Sequence, residues 1–225
     1  MDPALIQLAL ASSAFVGTHF LLSHPLRAPL VKVLGEKGFL PVYAVVALAT
    51  MYWMSKAFGA APAAGLGGSG QAGWVIASAL TLLAMVLLVG SLWRNPALPA
   101  NPGAAPKVPA AAHGVFAVTR HPMMWGFALW AISHIVLWWS WRTVIVALAI
   151  LVLALVGSAL QDGKKRALHG AVWAGWEAKT SYWPRLGGFA KISWPEWLAG
   201  IALWLAASWA HGPLGGVLAG IWLWV

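Results

Sequence analysis

The sequence predicts an all-α, polytopic transmembrane helical bundle of about six spans, with one further amphipathic helix at the membrane surface. Three observations predict it. The 225-residue chain is 61% hydrophobic and 8% charged, too apolar for a water-soluble domain. Apolar runs near the ~20 residues that cross a bilayer core recur along its whole length. Its fourteen lysines and arginines gather on alternate connectors between those runs.

The runs fall at 4–23, 39–58, 73–93, 121–139, 142–161 and 196–211. Met1-Asp2-Pro3 puts no basic segment ahead of the first run, which reads as a retained span and not a cleaved signal. The first connector carries Arg27, Lys32 and Lys37. The second, Ala60 to Gly73, is uncharged and rich in Gly and Ala, a flexible outer loop. The third holds Arg94, Lys107 and Arg120 around a Pro/Ala-rich strap from Asn95 to Pro109. Trp138, Trp139 and Trp141 crowd the tight turn between spans four and five, as an interfacial aromatic belt does.

The fifth connector holds Lys164, Lys165, Arg166, Lys179, Arg185 and Lys191. Within it Leu168, Val172 and Trp176 stand four apart with Trp173 beside them, the pattern of a helix lying on the membrane surface. After Pro195 the sixth run reaches His211-Gly212-Pro213, where a helix kinks or ends. The residues from 213 to 225 are apolar but short for a seventh span, and Gly212, Gly216 and Gly220 are spaced for close helix contact.

Twelve of the fourteen basic residues lie on the first, third and fifth connectors, against Lys56 and Arg142 on the others. The positive-inside rule makes those three connectors cytoplasmic and puts the N-terminus outside. The net charge of +9 follows from this asymmetry, and no basic cluster has the stacking or phosphate-cradling context of a nucleic-acid site. Membrane lipid is the partner the composition implies. With no cysteine, the chain has no disulfide, thiolate metal site or thiol nucleophile.

What chemistry the chain carries centres on histidine. Thr119-Arg120-His121-Pro122 opens span four; Pro122 suits the first helical turn, where its missing N–H would have been unpaired anyway. His134 follows about 20 Å along the same helix. His134 and His19 both stand inside apolar runs, where imidazole is rare without a task. Each reads either as an interhelical hydrogen-bonding group or as a metal or haem ligand, with Gly17, Ser13, Ser133 and Gly126 leaving room beside them. His24 and His121 precede prolines at the cytoplasmic ends of spans one and four; His113 and His169 fall in polar context, and His211 near the outer end of span six. Spans one and four run antiparallel, so His19 and His134 differ in depth by more than about 10 Å. On depth alone His24 with His121, or His19 with His121, pair more easily.

His19-Phe20-Leu21-Leu22-Ser23-His24-Pro25-Leu26-Arg27 and Thr119-Arg120-His121-Pro122 with Trp125-Gly126 resemble the NnrU family of bacterial membrane proteins associated with denitrification. Asp162, Lys165-Arg166 and Thr180-Ser181 before Pro184 fit the same pattern. The resemblance covers residues 1–193, a transmembrane domain, and leaves 194–225 as a C-terminal hydrophobic extension. It implies a bacterial inner-membrane location. The family is similar in turn to plant 15-cis-zeta-carotene isomerase, which implies haem b held by two histidines and a possible haem-dependent cis–trans isomerase. Carried over by position, the iron ligands fall on His19 and His134. Arg120, His121, Arg27 and His24 would border the cofactor, the arginines suiting its carboxylates. Asp162 would lie nearby, or pair structurally with Arg120 or Lys165.

The implied partners are a lipophilic polyene substrate or a redox partner. The isomerase's cysteine three residues before the second ligand is Ala131 here. No catalytic residue follows from the resemblance. Two other classes stay open. Arg-His-Pro-x-x-x-Gly also resembles the S-adenosylmethionine-contacting element of isoprenylcysteine carboxyl methyltransferases, and a non-catalytic assembly subunit needs its histidines only for packing.

Overall fold

Asp2 starts the first helix, α1 (Pro3–Ser23): its carboxylate accepts from the Ala4 N–H at 2.7 Å, and Pro3 takes the first helical position. The computed structural model describes residues 2–98 and 106–225. The strap between spans three and four lies partly outside them; 106–113 within it form no helix or strand.

Five further long helices follow among the described residues: α2 (Arg27–Ala60), α3 (Gly70–Gly90), α4 (Pro122–Leu137), α5 (Trp141–Lys179) and α6 (Trp194–Gly215). All six expected spans are helical. α1, α2, α3 and α5 are long and apolar enough to cross a membrane, while α4 is apolar but only 16 residues long. A capping box starts α6, with Ser193 and Glu196 satisfying each other's backbone. Pro213 stays inside α6, which ends two residues later at Gly215 and is capped by Gly216 in a left-handed conformation.

Two glycines bend helices, one within the predicted first connector and one within the predicted surface helix. At Gly35 (φ 69°) the chain turns from the short segment 27–34, expected as a connector, into the span of α2. At Gly170 (φ 47°) the end of α5 turns away from its span. Both values lie where only glycine is unstrained. The second bend corrects the predicted amphipathic face. Leu168 and Val172 are exposed, whereas Trp173 and Trp176 are wholly buried in the segment beyond Gly170.

The second connector departs further from expectation. Gly65–Gly68 forms a strand (β1) paired antiparallel with Trp138–Ser140 (β2), Gly65 opposite Ser140 and Gly68 opposite Trp138. Glycines contribute no side-chain pattern from which pairing could be read, but their backbone groups still make the ladder. After α6 the chain makes no seventh helix. A 3-10 turn at 220–223 folds back on α6, and Trp222 donates its indole N–H to the Leu205 carbonyl at 3.2 Å.

Helix neighbours run α2, α1, α5, α4, α3, α6, a row that curls until residues of both α2 and α6 wall one cavity. The crossing of α4 on α3 is close: a Cβ on Gly126 would lie 2.9 Å from the Ala84 carbonyl oxygen. Such approach is the usual way helices associate where lipid removes the hydrophobic drive. Outward faces carry Leu10, Val45, Leu48, Val75, Leu148 and Val152 exposed, as lipid contact requires. A dense core of Val86, Leu87, Phe116, Trp125, Trp173 and Trp176 sits at one end of the bundle.

Candidate functional site

Two polar sites occupy opposite ends of the helices. The first is at the basic end, where α4 begins and the apolar run of α5 stops. The loop before α4 is tied to residues 181–185 by Arg120 N–H to Ser181 O (2.8 Å) and Arg185 N–H to Val118 O (2.9 Å). The Thr119 hydroxyl and the Trp125 indole both donate to the Tyr182 carbonyl, at 2.7 and 2.8 Å. This clamp delivers Arg120 and His121 to Asp162. Arg120 donates from Nε (2.8 Å) and Nη2 (2.6 Å) to Oδ2; His121 Nε2 (2.9 Å) and the Trp173 indole (3.2 Å) reach Oδ1.

Four donors thus fill one carboxylate whose side chain is 3% exposed. Burial alone would raise the pKa of Asp162, just beyond the apolar run, but the hydrogen bonds and charges of His121 and Arg120 outweigh it and hold it below the usual carboxylate value. Glu177 extends the network, bidentate to Arg166 at 2.7 and 2.8 Å and 3.6 Å from Arg120. The Asp162–Arg120 pair is one of the structural partnerships the sequence suggested for Asp162.

Arg27 likewise pairs with a protein carboxylate, Glu36, at 2.8 Å. Burial and the nearby Arg27 charge lower the pKa of Lys165. His24 is at the end of α1 with both ring nitrogens buried and unpartnered. The arginines expected to border a cofactor are therefore committed to acids of the protein itself. Tyr182, whose ring lies under Arg120 at 5.5 Å and whose hydroxyl donates to Leu155 O at 2.6 Å, went unnoticed in the sequence. Its only signal there was its place beside Thr180-Ser181.

The second site is a cavity of about 610 Å³ in the other half of the bundle. It is walled by α2 through α6 and by the returning tail. Most of its lining is apolar or aromatic, including Met51, Met85, Trp74, Trp130 and Trp204. His134 and His211 both face it, their rings 6.5 Å apart. Each donates Nδ1–H to a carbonyl one helical turn back, Trp130 O and Ala207 O, at 2.8 Å. A carbonyl only accepts, so Nδ1 holds a proton, and in the neutral ring the lone pair falls on Nε2. That arrangement orients metal-binding imidazoles.

His19 is not among the cavity residues. It lies between Phe15 (4.4 Å between ring centroids) and Tyr43 (5.6 Å), with Nδ1–H bonded to Phe15 O at 2.7 Å. His134 therefore meets His211, and His19 belongs to the α1–α2 contact. Arg142 also borders the cavity, its guanidinium 4.8 Å from the Phe58 ring centre.

A comparison with family models matches residues 7–219 to the family described as NnrU protein. The chain belongs to the NnrU family. The match takes in all of α6 and, apart from Gly220, every residue lining the cavity of this NnrU protein. Neither the curated proteins nor the solved structures contain a match to it. Among the described residues, no group of three or more His, Cys, Asp or Glu side chains converges as a metal site.

Proposed function

We propose that this NnrU-family chain is a haem b-binding integral membrane protein of the bacterial inner membrane, with its N-terminus outside. The observation carrying the reading is that His134 and His211 both line one large apolar cavity, each ring fixed through Nδ1 to a backbone carbonyl and so leaving Nε2 for a ligand. The donor set fits haem: two neutral imidazoles, an apolar aromatic lining and a guanidinium at the edge. In this reading His134 and His211 hold the iron. His19, the other ligand implied by family resemblance, stays outside the cavity.

Bound haem supplies an iron centre for electron transfer or for activating a substrate beside it. The protein's own part is to fix both imidazoles through the carbonyls of Trp130 and Ala207 and to exclude water with tryptophan and methionine side chains. The resemblance offers two activities for such a centre, cis–trans isomerisation of a lipophilic polyene or service to nitrogen-oxide metabolism. A polyene, being lipophilic, would reach such a centre from the lipid phase.

Absorption spectra of protein purified from membranes test this. A low-spin Soret band is expected, lost in His134→Ala and His211→Ala and kept in His19→Ala. Full haem content in both of the first two variants would overturn the ligand assignment. For orientation, cysteines at Ala64 and Lys107 should label from opposite faces; labelling from one face defeats it.

A further inference from the structure

Among the described residues, Arg142 is the one lysine or arginine with a buried donor left without a hydrogen-bond partner. It stands in the first turn of α5, at the cavity edge. Its Nε is buried with no hydrogen-bond partner, and Nη1 reaches only the Ala61 carbonyl, at 3.4 Å. Phe58 covers one face. All five acidic residues of the chain are occupied elsewhere: Asp2 and Glu196 cap helices, while Glu36, Asp162 and Glu177 pair with Arg27, Arg120 and Arg166. A guanidinium partly withdrawn from water without an anion is costly. The start of a long helix adds partial positive charge at the same place.

We propose that the cavity takes an amphipathic carboxylic acid, its apolar body among Trp74, Trp130 and Trp204 and its carboxylate on Arg142. This deepens the haem reading, since haem carries propionates, but the inference concerns the acid group and holds equally for a long-chain fatty acid. Arg142 is suited to it through Nε and an adjacent Nη, the paired donors that match a carboxylate and that lysine lacks.

Two probe pairs test the proposal on the purified full chain. The first is a fluorescent polyene fatty acid and its methyl ester, read by energy transfer from the cavity tryptophans. The second is haem and haem dimethyl ester, read by the Soret shift. In the wild-type protein each acid that binds should bind about tenfold or more tightly than its ester, the value of a charge-assisted hydrogen bond. Arg142→Gln should erase the difference, and Arg142→Lys should keep only part of it.

A preference seen with the fatty acid alone supports the carboxylate site and removes haem propionates from it. A preference seen with haem alone assigns the site to propionates. Equal binding of acid and ester in both pairs, no binding of either acid, or a preference surviving in Arg142→Gln would overturn the proposal. The wild-type comparison needs no variant, so it decides the matter even if Arg142→Gln fails to fold.

Discussion

The two ends of the bundle treat polar side chains in opposite ways. At the basic end, Asp162 gathers Arg120, His121 and Trp173 and is filled by them. At the other end, His134, His211 and Arg142 border open space, and the protein supplies no carboxylate to them. A saturated cluster in low dielectric rigidifies a fold, whereas unsatisfied groups around a cavity store affinity for something else. The Arg-His pair that stands out in the sequence is thus bonded to a carboxylate of the protein, and the less conspicuous His211 and Arg142 border the cavity.

The sharpest test of this contrast is Asp162→Asn. It leaves Arg120 and His121 facing a neutral amide, and removing one partner of a buried ion pair typically costs about 3–5 kcal/mol. Thermal unfolding in detergent should show that loss. A variant as stable as wild type would mean the cluster holds no scaffold together. Acid probes the same carboxylate. Its folded pKa is depressed, so its stabilisation is present above the unfolded carboxylate pKa and fades as pH falls through the folded value. The low-pH decline in stability should be shallower in Asp162→Asn than in wild type.

Packing between the ends comes next. Gly126→Ala places a methyl group against the Ala84 carbonyl, and overpacking of this kind costs about 1–3 kcal/mol. A smaller effect is expected for Tyr182→Phe, which removes the hydroxyl bonded to Leu155 O and close to Ser158; roughly 1 kcal/mol should be lost. Smallest for folding is His134→Gln, at the cavity wall. Its unfolding temperature without ligand should stay near that of wild type while ligand retention falls. If it destabilises as much as Asp162→Asn, the division of labour between the ends is false.

Much of the architecture was legible in the sequence because lipid enforces it. Each span must be a helix that satisfies its own backbone, so apolar length alone located all six helices. The pairing of Asp162 with Arg120 was legible for a related reason: with five acids in the chain, an acid beside a basic loop has few fates. The strand at Gly65–Gly68 was not legible, since glycine carries no pattern. Nor was the face of Trp173 and Trp176, which depends on an unstrained but non-helical turn at Gly170.

What only the tertiary structure decided is which histidines share a space. Sequence determined that His19 and His134 lie at membrane depth and that His211 lies near a helix end. It could not determine that α1 would dock on α2 and α5, leaving His19 against Tyr43, while α6 docks on α3 and brings His211 to His134. Helix formation is a local property of the chain and is written in short-range pattern. Helix pairing depends on close approaches between residues far apart in sequence, such as Gly126 on Ala84, and those exist only once the helices have packed.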